Sequence, residues 1–501
     1  MLRLLLPIAV FVSGACVMVL EVLGSRLIGP VYGTSLYVWS SIIAVTLLSL
    51  SVGYWLGGWL ADRRPDAATF FLLFELAAVL IVLVPVVREP VFAIAHPFGV
   101  RGGSLVSALL LLAPPLTVLG TLSPFAVRIA ADLVTTLGRT AGRLYAISTA
   151  GSLVGTLAAG FWLIPSFRVT TIFAATAVTL VLPALVYQVL AARRHAAAAL
   201  VVLALVPFAA THRALPAGPV KVIDVRESFF GQLKVIEGGG MRALLANGGG
   251  QTVTDARTGQ SAVSYPLMMA GLAWRAHPGG RRALVVGLGG GIIPPLLDAA
   301  GITTQSVEID PMMVDVAVAH FGFDPRRHPV ALADGRRFLA DDERQWDYVI
   351  LDAFGGDGVP AHLLTVEMMT LVDARLAPDG VVTVNYNGCR HGETGRPLRA
   401  IVTTLATRFP WVKVFPRDHD VCGGNIVLAA REPHTMQTGP LPFAVPAALA
   451  AEVDDVAPIA IEPGLVLTDA YNPLDLWAVD DLEYLRGLTL TTLRWDVVLA
   501  D

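Results

Sequence analysis

Charged side chains are scarce in this chain. Of its 501 residues, 15% are Asp, Glu, Lys or Arg, against about 25% in ordinary soluble proteins. With 54% hydrophobic residues and a mean hydropathy of +0.64, this excludes a wholly soluble globular protein, a disordered chain and a strongly basic nucleic-acid binder. Lysine is nearly missing, with 3 against 33 arginines, a ratio that reads as genome base composition rather than function. Cysteine is equally sparse. Cys16, Cys389 and Cys422 make neither a disulfide framework nor a zinc cluster. No C-x-x-C or H-E-x-x-H pattern occurs, so no metal is expected. Cys16 lies in an apolar run and reads as a small hydrophobe. Free buried thiols are the expectation for Cys389 and Cys422. The alternative is a pair, if their strands are neighbours and the domain lies outside the cytoplasm.

The charge that is present divides the chain in two. Residues 1–210 hold 12 arginines against 6 acids, net +6; residues 211–501 hold 24 basic residues against 34 acids, net −10. The first part reads as a membrane domain, and the second is long enough to bury a core of its own. Apolar runs of about bilayer length predict about seven spans, near 4–24, 36–60, 68–87, 104–127, 143–164, 168–190 and 196–211. The first is too long for a cleavable signal peptide and is followed by more spans. Gly53 and Gly57, and Gly151 and Gly155, sit at the four-residue spacing that lets helices approach closely. Glu21 and Glu75 fall inside spans, where a charge must face the bundle or a partner; a structural, paired acid is preferred over a transport role. Arg3, Arg63, Arg64, Arg128, Arg139, Arg143, Arg193 and Arg194 fall in one set of loops, and Arg26, Arg88, Arg101 and Arg168 in the other. The positive-inside rule then favours a cytoplasmic N-terminus, and seven spans put the second domain outside the cell.

A linker, Leu215-Pro-Ala-Gly-Pro219, leads into short strand-like runs broken by glycine, Lys221–Val225, Gly231–Ile236 and Met241–Ala246, which predict a small antiparallel sheet. A helix is expected over roughly 258–276. Strands alternating with helices follow, at Ala283–Val286, Thr304–Asp310, Val330–Ala333, Asp347–Asp352 and Gly380–Asn385. This alternation predicts a parallel doubly wound sheet with ligands at the carboxyl ends of its strands. The expected domains are thus 1–212 (transmembrane helices), 213–257 (a small β-sheet lid) and 258–501 (a Rossmann-like domain).

The chemistry-bearing residues stand at those strand ends. The turn Gly287-Leu-Gly-Gly-Gly291 permits close backbone approach by a ligand, and Glu308 ends the next strand, where an acid can hold both ribose hydroxyls of a nucleoside. The turn has no glycine at the sixth place, so a nucleoside without a pyrophosphate is preferred. Asp334-Gly335 suits an adenine amino group. Asp352 can hold a cationic amine and take its proton.

Taken in order, Phe229-Phe-Gly-Gln232, Asn247-Gly-Gly-Gly-Gln251, the Tyr265 region, Val286–Gly291, Glu308-Ile-Asp310, Asp334-Gly335 and Asp352 resemble spermidine synthase, an aminopropyltransferase. The N-terminal half resembles the transmembrane segments fused to some bacterial members. The resemblance implies transfer of the aminopropyl group of decarboxylated S-adenosylmethionine to an amine such as putrescine, with no tightly bound cofactor. It implies Gln232, Gly287, Gly289, Glu308, Asp334 and Gly335 as nucleoside-side residues, and Asp352 as the base. Tyr265, Asp357 and Asp469 are expected on the amine side. A homodimer and an inner-membrane, multi-pass location are compatible with it. The chemistry expects a cytoplasmic catalytic domain, against the arginine count.

Several positions depart from the family. The aspartate expected before the last glycine of the turn, which binds the amine of the transferred group, is Gly290 here. The acidic pair after Gln251 is displaced to Asp255-Ala256. The second acid after Asp352 would fall at Gly355, with Asp357 two residues on. The loop Arg417-Asp-His-Asp-Val-Cys-Gly-Gly-Asn425 has no tyrosine. Thr468-Asp469-Ala-Tyr471-Asn472-Pro473 occurs among membrane-fused members; Asp469 either replaces a lost carboxylate or caps. Two other functions stay open: methyl transfer from intact S-adenosylmethionine, and a non-catalytic nucleoside or polyamine sensor coupled to the bundle.

Overall fold

The computed structural model describes residues 2–130, 137–192, 218–354, 358–417, 421–454 and 456–500. The chain divides into two compact units. One is Met1–Ala217 with Glu227–Phe229 and Arg494–Asp501; the other is Gly218–Arg226 with Phe230–Leu493.

The first unit is helical. Among the described residues, five helices are long and apolar enough to cross a membrane: Leu4–Tyr32, Leu36–Arg63, Ala67–Leu111, Leu137–Ser166 and Val169–Leu190. The expected span 104–127 is not one helix. It is interrupted at Leu112, where Pro114 and Pro115 withhold two backbone donors. The expected span 196–211, with most of the Leu215–Pro219 linker, lies outside the described residues. Both glycine pairs sit at helix crossings. A side chain at Gly53 or Gly57 would collide with Thr117, Gly120 or Thr121, and one at Gly151 or Gly155 with Phe11 or Ala15. Helix 36–63 therefore packs closely on 113–130, and 137–158 on 2–32. Buried Glu75 has a partner that sequence proximity did not reveal, since the Gln188 side chain donates to its carboxylate.

The second unit begins with a four-stranded sheet in the order β1-β2-β3-β4, formed by β1 (Val220–Glu227), β2 (Gln232–Gly238), β3 (Met241–Ala246) and β4 (Gly249–Asp255). Asn247-Gly248 makes the β3–β4 turn, with φ of 49° and 82°, as a type I′ hairpin requires. The next helix spans Tyr265–Ala276, starting later than the expected 258. The Asp255 carboxylate accepts from the amides of Arg257 and Thr258 at 3.0 and 2.8 Å, and these local bonds hold the segment in a turn.

A seven-stranded sheet follows, built from β5 (Arg282–Val286), β6 (Thr303–Glu308), β7 (Val330–Leu332), β8 (Trp346–Leu351), β9 (Leu376–Cys389), β10 (Trp411–Pro416) and β11 (Cys422–Ala430). Its order is β10-β11-β9-β8-β5-β6-β7. The five strands β5 to β9 run parallel. The sheet is not wholly parallel, as the alternation had predicted, because β11 enters antiparallel to β9 and β10 antiparallel to β11. β10 ends at Pro416 and β11 begins at Cys422, and so short a connection can join only antiparallel neighbours. Apolar clusters cover both faces. Leu284, Val349, Met369, Val382 and Val427 lie in one, and Val285, Ile350, Met268, Leu297 and Ile426 in the other.

Candidate active site

The site forms where β5, β6, β8 and β9 end. From β5 the chain enters the glycine turn. Gly287 has φ of 97°, and a side chain there would strike the backbone oxygen of Asp352. The turns after β5 and β8 thus lie against each other, and only glycine fits between them. The amide of Leu288 donates to one oxygen of Glu308 at 3.0 Å, and the amide of Asp310 donates to the other at 2.9 Å. Burial pushes the Glu308 carboxyl up to about 7, against the pull of these two amides. Each carboxylate oxygen keeps a further lone pair, so the residue can accept from ribose hydroxyls while the backbone fixes its orientation. Gly289 has φ of 55°. The amide of Gly290 donates to Thr252 Oγ1 of β4 at 2.8 Å, which ties the smaller sheet to the turn.

Asp352 stands just beyond β8. Asn385 of β9 donates to its Oδ1 at 2.9 Å. Burial pushes the carboxyl up to about 7, and the Asn385 hydrogen bond opposes the shift. Tyr265, at the first turn of its helix, donates its hydroxyl to the Gln251 carbonyl at 2.9 Å. Burial and then the nearby Asp352 charge raise its pKa well above the ordinary range, while Arg417 acts in the opposite sense. Asp352 and Arg417 therefore both lie within electrostatic reach of the Tyr265 hydroxyl. Gln232 opens β2 opposite Asn247, whose side chain accepts from its amide at 3.0 Å.

Asp334 caps the helix Gly335–Asp341 by accepting from the Arg337 amide at 2.9 Å, and its other oxygen meets His362 Nε2 at 2.9 Å. Burial works to raise its pKa, but the Arg337 amide and the His362 ring outweigh it and hold the carboxyl below the usual range. Gly335 packs against Val286 of β5 with no room for a side chain. Asp469 is engaged elsewhere. Arg336 grips both its oxygens at 2.7 and 2.5 Å, and Thr365 donates to one at 2.8 Å. The Arg336 guanidinium holds its carboxyl below the usual range. Asp357 lies outside the described residues.

Among the expected residues, the structure brings Gly287, Gly289, Glu308, Tyr265 and Asp352 around one turn, with Gly335 packed on the strand that leads into it. It sets Asp469 in an ion pair one helix away. Sequence reasoning missed Asn385, Thr252, His362, Arg336 and Arg417. Their signal is register and crossing, which a single sequence carries only weakly. The expectation of free thiols is overturned, because Cys389 and Cys422 form a disulfide. The antiparallel entry of β11 places the two residues directly opposite. The surrounding rim is polar and buried. Asn425 donates to the carbonyls of Gly388 and Gly423, both at 3.0 Å, and accepts from Arg390 Nε at 2.7 Å. Asp481 accepts from the Tyr386 hydroxyl at 2.5 Å and the Cys389 amide at 2.8 Å, and burial pushes it up to about 6.

Residues 262–393 match the spermine/spermidine synthase domain model. That stretch contains Tyr265, the glycine turn, Glu308, Asp334, Gly335, Asp352 and Asn385, and leaves out Gln232, Arg417 and Asp469. Over 114 residues the chain is 39% identical to an N-terminal histidine N-methyltransferase of Emericella nidulans, covering 22% of this chain and 20% of that protein. It is 33% identical over 127 residues to a polyamine aminopropyltransferase of Vibrio vulnificus, covering 24% and 41%. It is 30% identical over 163 residues to a probable polyamine aminopropyl transferase of Bifidobacterium longum, covering 32% and 36%. The chain thus spans less than half the length of these relatives. Residues 262–393 of its second unit are thus similar to spermine/spermidine synthase domains.

Proposed function

We propose that the second unit is an aminopropyltransferase-type enzyme, which moves the aminopropyl group of decarboxylated S-adenosylmethionine to an amine such as putrescine. The products are then spermidine and methylthioadenosine. The observation that carries this reading is Asp352. Its carboxylate is oriented by Asn385 beside the glycine turn and is held near pKa 7 by burial. A base poised near neutrality suits removal of a proton from an ammonium group. In the step, the freed amine forms a nitrogen–carbon bond, the carbon–sulfur bond breaks, and its electron pair stays on sulfur. The proton goes to Asp352. A sulfonium leaves as a neutral thioether and needs no acid, so orientation and one base suffice. Glu308 would hold the ribose, and Asp334 with Gly335 the adenine, while Gln232 and Tyr265 line the reacting end. No tightly bound cofactor is required. Purified full-length protein, decarboxylated donor and an amine panel test the reading by mass spectrometry. Aminopropylated amine and methylthioadenosine in equal amounts are expected; binding of the nucleoside without product from any amine would sink it.

Methyl transfer from intact S-adenosylmethionine is the second reading. It is favoured by the methyltransferase relative, at 39% identity over its matched segment, and by Gly290 in place of an amine-binding aspartate. For the first unit we propose a multi-pass bundle in the cell membrane, with the lipid bilayer as its partner. Donor supply favours a cytoplasmic catalytic unit. The arginine count and the Cys389–Cys422 disulfide favour an oxidising, extracytoplasmic side. Alkaline phosphatase fused to the C-terminus separates the two, being active only outside.

A further inference from the structure

The edge of the seven-stranded sheet borders a cavity that the candidate active site does not use. β10 is the outermost strand. Side chains alternate faces along a strand, so Trp411, Lys413 and Phe415 share one face, the one covered by the helix Tyr265–Ala276. There they border a cavity of about 600 Å³, together with Arg275 of that helix and with His434 and Met436, which follow β11. Small-ligand sites measure roughly 300–1,000 Å³. None of these residues surrounds Glu308 or Asp352, and residues 411–458 fall outside the stretch 262–393 matched by the domain model.

The walls are braced. Arg275 donates to the carbonyls of Val453 and Gly439, both at 3.3 Å, and to the Asp454 carboxylate at 2.6 Å. Its own carbonyl accepts from the Gln437 amide at 2.8 Å. These bonds tie the helix to the two segments that close the cavity, and they set the charges of Arg275 and Asp454 against each other. The Trp411 indole is tilted against the His434 ring, with centroids 5.7 Å apart. Burial, and then the neighbouring His277 ring, push His434 below the usual imidazole range, so it adds no charge at pH 7. Lys413 differs from both. It is exposed, and among the described residues its ammonium has no hydrogen-bond or ion-pair partner. Asp455, next in the chain to Asp454, lies outside the described residues, so its charge is made part of the test.

We propose that this cavity is a second ligand site, for a small planar organic anion of the aromatic-carboxylate class. The ring lies against the Trp411 indole and the Met436 thioether, both good faces for an aromatic group. The carboxylate pairs with the Lys413 ammonium, whose apolar stem runs along the strand between Trp411 and Phe415 while its head stays in water. A neutral ring of the same shape gains the stacking and forgoes the ion pair. The site goes beyond the nucleoside-and-amine reading and does not rest on it.

The test uses the full-length protein in nanodiscs of uncharged lipid, with empty nanodiscs as the blank. Calorimetry compares indole-3-acetate with indole-3-acetamide, two probes of one shape that differ by a single negative charge. The acetate should bind about fivefold tighter, as an ion pair at a partly exposed lysine allows, and the ratio should shrink towards one at about 1 M salt. Lys413→Gln should erase the ratio and leave the acetamide unchanged, while Lys413→Arg keeps it. Trp411→Ala should weaken both probes by about fivefold or more, and Trp411→Phe should restore most of that loss. Melting curves on each variant separate a lost site from a lost fold, and the two conservative variants carry the test if Trp411→Ala does not fold. Asp455→Asn should leave the ratio within about twofold. Equal binding of the two probes to wild type would overturn the proposal. So would a ratio that survives Lys413→Gln, acetamide binding that ignores Trp411→Ala, or a preference for the acetate that emerges only in Asp455→Asn.

Discussion

Along the carboxyl rim of the seven-stranded sheet, the proposed nucleoside side and the proposed amine side are built in different ways. Bonds around the two acids of the nucleoside side reach at most 28 residues along the chain, the longest joining Asp334 to His362. Glu308 accepts from Asp310, 2 residues away, and from Leu288, 20 away, while Asp334 accepts from Arg337, 3 away. Those of the amine side reach further, apart from the Tyr265–Gln251 bond across 14 residues. Asp352 meets Asn385 across 33 residues, Arg390 meets Asn425 across 35, and Asp481 meets the Cys389 amide across 92. Local motifs keep their spacing as a unit. A surface drawn from four distant segments can change one residue at a time, and on this side Gly290, Thr252 and Arg417 stand where the family resemblance expects a cation's partners.

The largest effect that separates the two sides is expected from Asp352→Asn. Turnover should fall by about 100-fold or more, as removal of a general base does, while methylthioadenosine affinity stays within about twofold. Calorimetry beside a product assay reads both, and an active variant removes the proposed base. Glu308→Gln is the mirror experiment. It should weaken every nucleoside ligand by about tenfold or more and leave the choice among amines unchanged. Competition assays with mixed amines check this.

The disulfide tests the amine side as structure rather than chemistry. It closes a loop of 33 residues in separation, for which the chain-entropy model gives roughly 4 kcal/mol. Reductant, or Cys422→Ser, should lower the denaturation midpoint of the second unit within the intact chain, with methylthioadenosine binding retained under native conditions. A midpoint that ignores reductant would show that the two sides do not differ in this respect.

Proton binding gives an effect that the two sides share. Glu308 and Asp352 are both pushed up to about 7 by burial, and Asp481 to about 6. A carboxyl whose folded pKa exceeds its unfolded value stabilises the fold below the unfolded pKa, and that contribution is lost as pH rises through the folded value. Thermal stability should therefore decline from about pH 5 to about pH 8, and Glu308→Gln and Asp352→Asn should each remove part of the slope. Melting curves across that range decide it. The smallest effect is expected from Asp469→Asn. Its ion pair with Arg336 is partly exposed, so the loss should stay under about 1 kcal/mol, and amine preference should not move. A change in preference would return Asp469 to the substrate side.

The same contrast explains what could be read from sequence. Glycine turn, strand-end acid and Asp334-Gly335 follow one another in short units, so Gly287 and Glu308 stand out as candidates from periodicity and position. The small antiparallel sheet was legible because its hairpins are closed by glycine. Asn385 ended a visible strand, yet nothing local told that it would face Asp352. The β10–β11 hairpin was missed because an apolar run between turns has the same signature whether it enters a sheet parallel or antiparallel. Arg417 and the Cys389–Cys422 pair depended on that direction and so were hidden with it.

The register of β11 against β9 has a consequence for how the finished molecule is checked. Side chains alternate faces along a strand, so a slip of one residue would move Cys422 away from Cys389 and turn Asn425 out of its nest of carbonyls. Only the correctly threaded chain brings the two sulfurs together. Under oxidising conditions the crosslink can therefore serve as a register check: chains whose last hairpin was laid down in the right frame are the ones that oxidise.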